Sequence, residues 1–132
     1  MAFDPKNLPG DVLEFLQERH VGTLTTVDPQ GRLHVVAIAF TYEPADGLIR
    51  MITFGTSRKV NNIRQAGDAA RAAVGQVDGP RWLSFEGPAR VVDDAEQVAR
   101  AAALHAVRYK QPGDNPARVA IELTPEWVLG RL

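Results

Sequence analysis

Short β-forming segments joined by tight turns constrain the fold of this chain more than any other sequence feature. The turns Asp28-Pro29-Gln30-Gly31 and Pro44-Ala45-Asp46-Gly47 separate three apolar, β-branched segments, which span residues 21–27, 33–43 and 48–54. Strands that meet through tight turns pair antiparallel, because a parallel pair needs a long crossover connection. The pattern predicts a β-meander and argues against a parallel nucleotide-binding sheet. The unbroken apolar centre of residues 33–43 predicts one strand buried on both faces.

The second half of the chain predicts three more strands. Residues 72–77 and 81–93 should pair as a hairpin around Asp78-Gly79-Pro80. Gly87-Pro88 interrupts the second of these strands and predicts a bulge or a sharp bend. Residues 119–123 form the last predicted strand.

Three segments have the apolar spacing or capping residues of helices. Asn7 can cap the first, which carries an apolar stripe from Val12 to Leu16. The second spans residues 58–65, and the third spans residues 95–108 behind a capping Asp93 or Asp94. Six short strands with flanking helices predict a small antiparallel β-barrel in an α+β chain. The length of 132 residues predicts a single domain over residues 1–132.

Charge and composition exclude several classes of protein. Fifteen basic and sixteen acidic residues give a net charge of −1, which argues against a nucleic-acid-binding protein with a strongly basic face. No apolar run approaches the roughly 20 residues that span a bilayer, and the N-terminus lacks the pattern of a signal peptide. The chain has no cysteine, so we expect neither disulfides nor a thiolate metal site. We therefore expect a cytoplasmic protein with no nucleic-acid or membrane partner.

The usual arrangements of protein-based catalysis are missing. His20, His34 and His105 are far apart and have no second ligand at metal-binding spacing, so no metal site is predicted. The two serines, Ser57 and Ser84, lie in no nucleophile-elbow motif. A chain of this size buries only about two-thirds of its unfolded surface. A large ligand would therefore need a cleft shared with a second copy of the chain.

The stretch Thr53-Phe54-Gly55-Thr56-Ser57-Arg58-Lys59 is the strongest candidate site. A strand ends here, Gly55 lets the backbone turn, and two hydroxyls precede Arg58 and Lys59 at the start of a helix. Free N–H groups, hydroxyls, a guanidinium and an ammonium gathered at one point are how proteins hold an anion, most often a phosphate. From spacing alone, an N-capped surface helix with two solvated charges is the alternative.

Two further segments are weaker candidates. Gln76, Arg81 and Trp82 flank a hairpin turn and offer hydrogen-bonding groups and a flat aromatic surface, although a tryptophan packed over a β-turn looks the same in sequence. The small side chains of His34-Val35-Val36-Ala37 would let a flat ring lie against the backbone, or would simply belong to the core.

Together these segments resemble the split-β-barrel flavin and deazaflavin oxidoreductases, the superfamily that includes pyridoxamine 5′-phosphate oxidase. The Thr-x-Gly-x-Ser-Arg-Lys stretch at Thr53 to Lys59 is similar to the phosphate-binding turn of that superfamily, and the order of elements matches over nearly the whole chain. The stretch QVDG-x-RWLS-x-EG, residues 76–87, is most similar to the actinobacterial branch that uses coenzyme F420, a deazaflavin, and within it to the small F420-dependent biliverdin reductases.

This resemblance implies a six-stranded antiparallel split β-barrel of the FMN-binding type with flanking helices, and a homodimer with two cofactor sites at its interface. Lys59, Arg58, Ser57 and Thr56 would hold the cofactor phosphate, and a second group would present backbone to the ribityl chain: Ile52, Thr53, Phe54 and Gly55. The strand His34, Val35, Val36 and Ala37 would lie along the ring system. The remaining implied cofactor-binding residues would close the site from either subunit: Gln76, Asp78, Gly79, Arg81, Trp82, Leu83 and Ser84.

The implied activity is an F420H2-dependent reductase that transfers a hydride to a conjugated acceptor such as biliverdin. The cofactor carries this chemistry, and Arg81 or another arginine would stabilise carboxylates or developing charge on the acceptor. An FMN-binding oxidoreductase of the same superfamily and a non-catalytic cofactor-binding protein are the alternatives. The chain lacks the C-terminal tryptophan–arginine substrate motif of the pyridoxamine-phosphate oxidase, which argues against vitamin B6 as substrate.

Overall fold

The computed structural model describes residues 1–132, which form nine strands and three α-helices. The strands are β1 (Ala2–Phe3), β2 (Gly22–Val27), β3 (Leu33–Ile38), β4 (Thr41–Glu43), β5 (Leu48–Phe54), β6 (Arg71–Asp78), β7 (Arg81–Val92), β8 (Arg118–Leu123) and β9 (Trp127–Arg131). The helices are α1 (Gly10–Gln17), α2 (Arg58–Ala66) and α3 (Ala95–Arg108), and a 3₁₀ turn spans Gly67–Ala69. None of the helices is long and apolar enough to cross a membrane.

All strand pairs are antiparallel, and β7 joins two half-sheets. The first half-sheet contains β1, β2, β3, β6 and β9, and the second contains β4, β5 and β8. The strand order is β3-β2-β6-β7-β8-β5-β4, while β9 pairs with β7 and β1. Residues 82–86 of β7 pair with β9, and residues 89–92 pair with β8. The bend predicted at Gly87-Pro88 is therefore the point at which β7 passes from one half-sheet to the other. The predicted α+β antiparallel split barrel is confirmed, with nine strands where six were expected.

Gly87 occupies this crossing point because no side chain fits there. A Cβ at Gly87 would overlap the backbone carbonyl oxygen of Thr124, whose N–H donates to the carbonyl of Pro88 at 3.0 Å. We expect Gly87→Ala to lower the free energy of unfolding by about 1–3 kcal/mol in urea denaturation, because the two backbones must move apart. Gly113→Ala, at a position with open space around it, is the matched control. Equal stability of the two variants would contradict this role.

The prediction of a single strand over residues 33–43 was wrong. This segment breaks before Thr41 into β3, which pairs with β2, and β4, which pairs with β5 in the other half-sheet, so no three-stranded meander forms. At the break, side chains at the end of α3 make the hydrogen bonds to the backbone that a neighbouring strand would otherwise make. Arg108 and Tyr109 both donate to the carbonyl of Phe40, and the Phe40 N–H donates to the Tyr109 hydroxyl. As the edge strand, β3 also leaves the side chains of its Leu33 end exposed and is not buried on both faces.

Two smaller features differ from the prediction, and a third agrees with it. The strands β1 and β9 were missed, because β1 has only two residues and β9 contains a glycine, Gly130, at one of its two buried positions. Asn7 does not cap α1: Pro9 stands at the N-cap, and no side chain bonds to the helix start. The cap of α3 is as predicted, since the Asp94 carboxylate accepts from the Gln97 N–H at 3.0 Å.

One cluster of 21 buried apolar residues fills the barrel, and its largest fully buried side chains are Phe15, Phe40 and Phe85. Helix α3 packs against β4, β5 and β8, and α2 packs against β2 and β7. Helix α2 therefore lies over the first half-sheet, with its N-terminus following the end of β5.

A buried ion-pair cluster of Arg50, Glu43 and Glu122 lies in the second half-sheet. Arg50 and Glu122 are each 3% exposed. The Arg50 guanidinium donates to Glu43 and, at 2.9 Å, to Asp46, and its Nε lies 3.7 Å from a carboxylate oxygen of Glu122. The exposed Arg90 reaches Glu122 from outside at 2.7 Å. The ion pairs of this cluster connect the β4–β5 turn to β8.

Candidate cofactor site

The residues Gly55 to Lys59, here called the phosphate turn, connect β5 to α2. The Gly55 N–H donates to the carbonyl of Ala117 at 2.9 Å, which fixes the turn to the chain just before β8. Ser57 stands at the N-cap of α2, yet no side chain caps this helix and its first turn contains no acidic residue. The first N–H groups of α2 have no acceptor within the helix, and their positive end is uncompensated.

Three side chains of the phosphate turn have no partner. The Ser57 Oγ is shielded from solvent and makes no hydrogen bond. Arg58 and Lys59 form no ion pair. Burial lowers the pKa of Lys59. A buried hydroxyl without a partner is rare in proteins. The Ser57 hydroxyl and the two unpaired cations together match the set of donors that a bound phosphate requires.

Strand β5 offers free backbone next to this turn. On one side, Ile52, Thr53 and Phe54 pair with β8. On the other side, β4 pairs only with residues 48–50, so the end of β5 keeps an open edge. Alternate N–H and C=O groups along this edge have no strand partner. An extended polyol chain could hydrogen-bond to them.

The four residues of β3 predicted at the ring system point to opposite faces. Val35 and Ala37 are exposed on one face, whereas His34 pairs with Thr26 on the other. Thr26 accepts a hydrogen bond from Asn62 of α2 at 3.0 Å, so His34 and Val36 lie on the face that α2 covers. The His34 Nδ1 is a second buried polar atom without a partner. A ring lying on one face can therefore contact only one pair of these side chains.

The hairpin between β6 and β7 is held by four charged or titratable side chains, here called the hairpin cluster: Glu18, His20, Asp78 and Arg81. Arg81 donates to Glu18 at 2.8 and 3.0 Å and also to Asp78. Its guanidinium stacks 4.4 Å from the ring centre of Phe15. The cluster fixes the hairpin, whose turn residue Gly79 has a φ of 60°, to the segment that follows α1.

Sequence spacing gave no indication that Glu18, His20 and Asp78 would meet. Their ligand-type atoms lie within 4.8 Å of one another, an arrangement that metal sites also use. Here the guanidinium of Arg81 lies between the two carboxylates and balances their charge. The geometry is that of an arginine-centred ion-pair cluster.

The hairpin cluster gives Glu18 an unusual acidity. Hydrogen bonds from Arg81 and then His20 lower the pKa of Glu18 to about 2. Because this pKa lies below the ordinary value of 4.5, the stabilisation is complete above pH 4.5 and is lost as the pH falls through 2. We expect Arg81→Gln to raise the pKa of Glu18 toward its ordinary value in a carboxyl-carbon NMR titration. Arg71→Gln, which removes an arginine that pairs with Glu86, should leave it unchanged. A pKa that stays near 2 in Arg81→Gln would contradict this cause.

Two of the predicted cofactor-binding side chains do not reach a surface. Gln76 is 1% exposed; its Nε2 donates to the Phe15 carbonyl at 3.1 Å, and its Oε1 accepts from Arg108. Leu83 belongs to the hydrophobic core. Strand residues alternate between faces, so Trp82 and Ser84 point outward while Leu83 points inward. The side chains of Gln76 and Leu83 are therefore buried within the chain, and the assignment of these two residues to the cofactor site stays a prediction.

The outward face of the first half-sheet carries residues from two of the predicted site segments, the strand β3 and the β6–β7 hairpin. The register places Ala37, Thr23, Gly75, Ser84 and Leu129 in one row across five strands. A neighbouring row includes Val77, Trp82 and Arg131. Period-two alternation in the sequence would have found Thr23, Gly75 and Leu129, which the prediction missed. Within one chain, no hydrogen bond or ion pair connects the hairpin cluster to the phosphate turn.

Comparisons with known proteins match this architecture. A sequence model of the family described as pyridoxamine 5′-phosphate oxidase matches residues 8–131. An F420H2-dependent biliverdin reductase of Mycobacterium tuberculosis is 46% identical over 123 residues, which cover 93% of this chain and 88% of that protein. A solved structure described as an F420 reductase is 26% identical with a TM-score of 0.72, covering 92% of this chain and 98% of that one. A conserved hypothetical protein from M. tuberculosis has the same fold, with 24% identity and a TM-score of 0.79 over 94% of this chain and 84% of its own.

Proposed function

Because the chain belongs to the pyridoxamine 5′-phosphate oxidase family, we propose that it is an F420-dependent oxidoreductase that reduces a conjugated small molecule, with biliverdin as the first candidate. The observation that carries this proposal is the phosphate turn. A shielded Ser57 hydroxyl without a partner, two unpaired cations and an uncapped helix N-terminus meet there. The 46% identity to a biliverdin reductase selects the deazaflavin among phosphate-bearing cofactors.

In this proposal each segment has a defined task. Lys59, Arg58 and Ser57 hold the phosphate, and the open edge of β5 holds the polyol chain. The strand His34 to Ala37 lies along the ring system and contacts it with the side chains of one of its two faces. When bound, reduced F420 supplies the hydride, and the chain orients the two reactants and excludes water. No nucleophilic side chain is needed.

The site is completed by a second copy of the chain. The hairpin cluster and the phosphate turn are not joined within one chain, whereas the outward face exposes Val35, Val77 and Trp82. Val77 and Trp82 are direct partners on neighbouring strands, and adjacent exposed apolar residues indicate a surface that another protein covers. A homodimer that pairs this face would bring the hairpin of one subunit toward the phosphate turn of its partner. The single hydrophobic core supports one domain over residues 1–132.

We expect Val77→Glu to convert the dimer to a monomer in sedimentation velocity and to weaken cofactor binding at the same time. The substitution places a charge on the outward face but alters none of the residues assigned to the cofactor. Val107→Glu, which adds the same charge at a position 86% exposed on α3, is the matched control and should leave both properties unchanged. A Val77→Glu protein that remains dimeric would contradict this interface.

The test of the function is a calorimetric titration with F420 and with FMN, followed by turnover assays with F420H2 and biliverdin, a quinone or a nitro compound. We expect micromolar or tighter binding of F420, weaker binding of FMN, and oxidation of F420H2 by at least one acceptor. Tighter binding of FMN would favour the flavin-binding alternative, because the same turn can hold the phosphate of either cofactor. Binding of F420 without turnover of any acceptor would favour a non-catalytic cofactor-binding protein. Absence of binding to either cofactor would overturn the proposal.

A further inference from the structure

A cavity of about 570 Å³ lies where β1, the start of α1 and the end of β9 meet the hairpin. This volume is in the range of small-molecule binding sites. The cavity combines apolar walls, two aromatic side chains and two charged side chains. Its lining residues are Met1, Phe3, Asp11, Trp82, Gly130, Arg131 and Leu132. It shares only Trp82 with the residues assigned to the cofactor.

The chemistry of the cavity depends on Trp82 and Arg131. They are direct partners on β7 and β9, so their side chains leave the same face of the sheet side by side. Trp82 is 37% exposed in one chain, and its place on the outward face puts the cavity at the border of the proposed dimer interface. Arg131 is exposed and makes no hydrogen bond or ion pair. The other charged group, Asp11, is engaged at the start of α1, where it accepts from the Val12 N–H at 2.9 Å.

An aromatic plane beside an unpaired guanidinium favours a particular class of ligand. The indole of Trp82 can stack on a flat conjugated system, and Phe3 and Leu132 add apolar surface. The planar guanidinium of Arg131 matches a carboxylate in both geometry and charge. A neutral conjugated molecule would satisfy the ring surface alone and leave Arg131 unpaired.

We propose that this cavity binds the electron acceptor, with the conjugated system on Trp82 and a carboxylate on Arg131. The assignment rests on the proposed function, because it takes the ligand to be the acceptor of the F420-dependent reaction. Arg131 is then a specificity-determining residue, which favours conjugated acceptors that carry a carboxylate. Because Trp82 also borders the cofactor site, the acceptor would lie next to the cofactor.

The test compares the affinity of the protein for biliverdin, which carries two carboxylates, with its affinity for biliverdin dimethyl ester. Binding is measured from the change in absorbance of the pigment. We expect the wild-type protein to bind biliverdin about tenfold more tightly than the ester. Arg131→Gln should bind biliverdin only as tightly as the ester, with its ester binding and its F420 affinity unchanged. Lys110→Gln, which removes the same charge from an exposed loop, should behave as the wild type. Trp82→Leu should weaken the binding of both pigments, because it removes stacking surface and no charge.

The outcomes separate this assignment from the proposed function. Wild-type affinity for biliverdin in Arg131→Gln would overturn the assignment, whether or not F420 binds. Failure of the wild-type protein to bind biliverdin would also overturn it. Binding of biliverdin that depends on Arg131 in a protein that does not bind F420 would overturn the proposed function and leave the carboxylate site standing. Circular dichroism melts of each variant establish that the fold is intact before the affinities are compared.

Discussion

Replacing Lys59 with alanine is expected to weaken F420 binding by about tenfold to a hundredfold, measured by calorimetry. The ammonium of Lys59 follows the shielded Ser57 hydroxyl at the start of α2 and has no acidic partner in the chain. Its loss removes one charge-assisted hydrogen bond and leaves Arg58 as the only cation of the phosphate turn. Because Lys59 has no structural partner, the thermal stability of the variant should change little.

The matched control is Lys110→Ala, which removes a lysine from an exposed position outside the site. It should bind F420 as the wild type does. If Lys59→Ala also binds F420 with wild-type affinity, the phosphate turn is not the anchor of the cofactor, and the assignment of this site is wrong.

The lowered pKa of Lys59 gives this prediction a dependence on pH. Burial disfavours the charged ammonium, so Lys59 loses its proton at a lower pH than an exposed lysine does. The contribution of Lys59 to binding is therefore complete at pH values below this pKa and falls as the pH rises through it. In Lys59→Ala this alkaline loss of affinity should disappear.

The largest effect on stability is expected from Arg50→Ala. This substitution leaves the carboxylates of Glu43 and Glu122 without their buried cation, which typically costs about 3–5 kcal/mol. The two carboxylates then keep only the more exposed arginines, Arg90 at Glu122 and Arg100 at Glu43. We expect urea denaturation to show a decrease of this size in the free energy of unfolding.

Arg71→Ala is the control for Arg50→Ala. It removes an arginine whose partners, Glu86 and Glu126, are exposed, and exposed ion pairs contribute only about 0–1 kcal/mol. If the two variants lose similar amounts of stability, the burial of Arg50 has no special consequence, and the buried ion-pair cluster does not hold β4, β5 and β8 together as described.

Features set by neighbouring residues were predictable from the sequence. The cap of α3 by Asp94, the bend at Gly87-Pro88 and the turn from β5 into α2 each depend on a few adjacent side chains or on local backbone preference. The phosphate turn is contiguous in the chain, so its chemistry could be inferred before its geometry was known.

Features set by distant residues were not predictable in this way. The break between β3 and β4 is held by Arg108 and Tyr109, which bind Phe40 from 68 and 69 positions away. The hairpin cluster depends on Arg81 meeting Glu18 across 63 positions. No periodicity within a segment contains such information. The burial of Gln76 likewise depends on hydrogen bonds to the distant Phe15 and Arg108.

The passage of β7 through both half-sheets has a consequence for how this chain folds. Its residues 82–86 complete one half-sheet and its residues 89–92 complete the other, so neither half-sheet can form fully without the same strand. The β6–β7 hairpin is local and closes only a short loop, whereas β8 and β9 must add to it from further along the chain. The hairpin is thus expected to form before the rest of the sheet, and the two half-sheets are expected to unfold together as one cooperative unit.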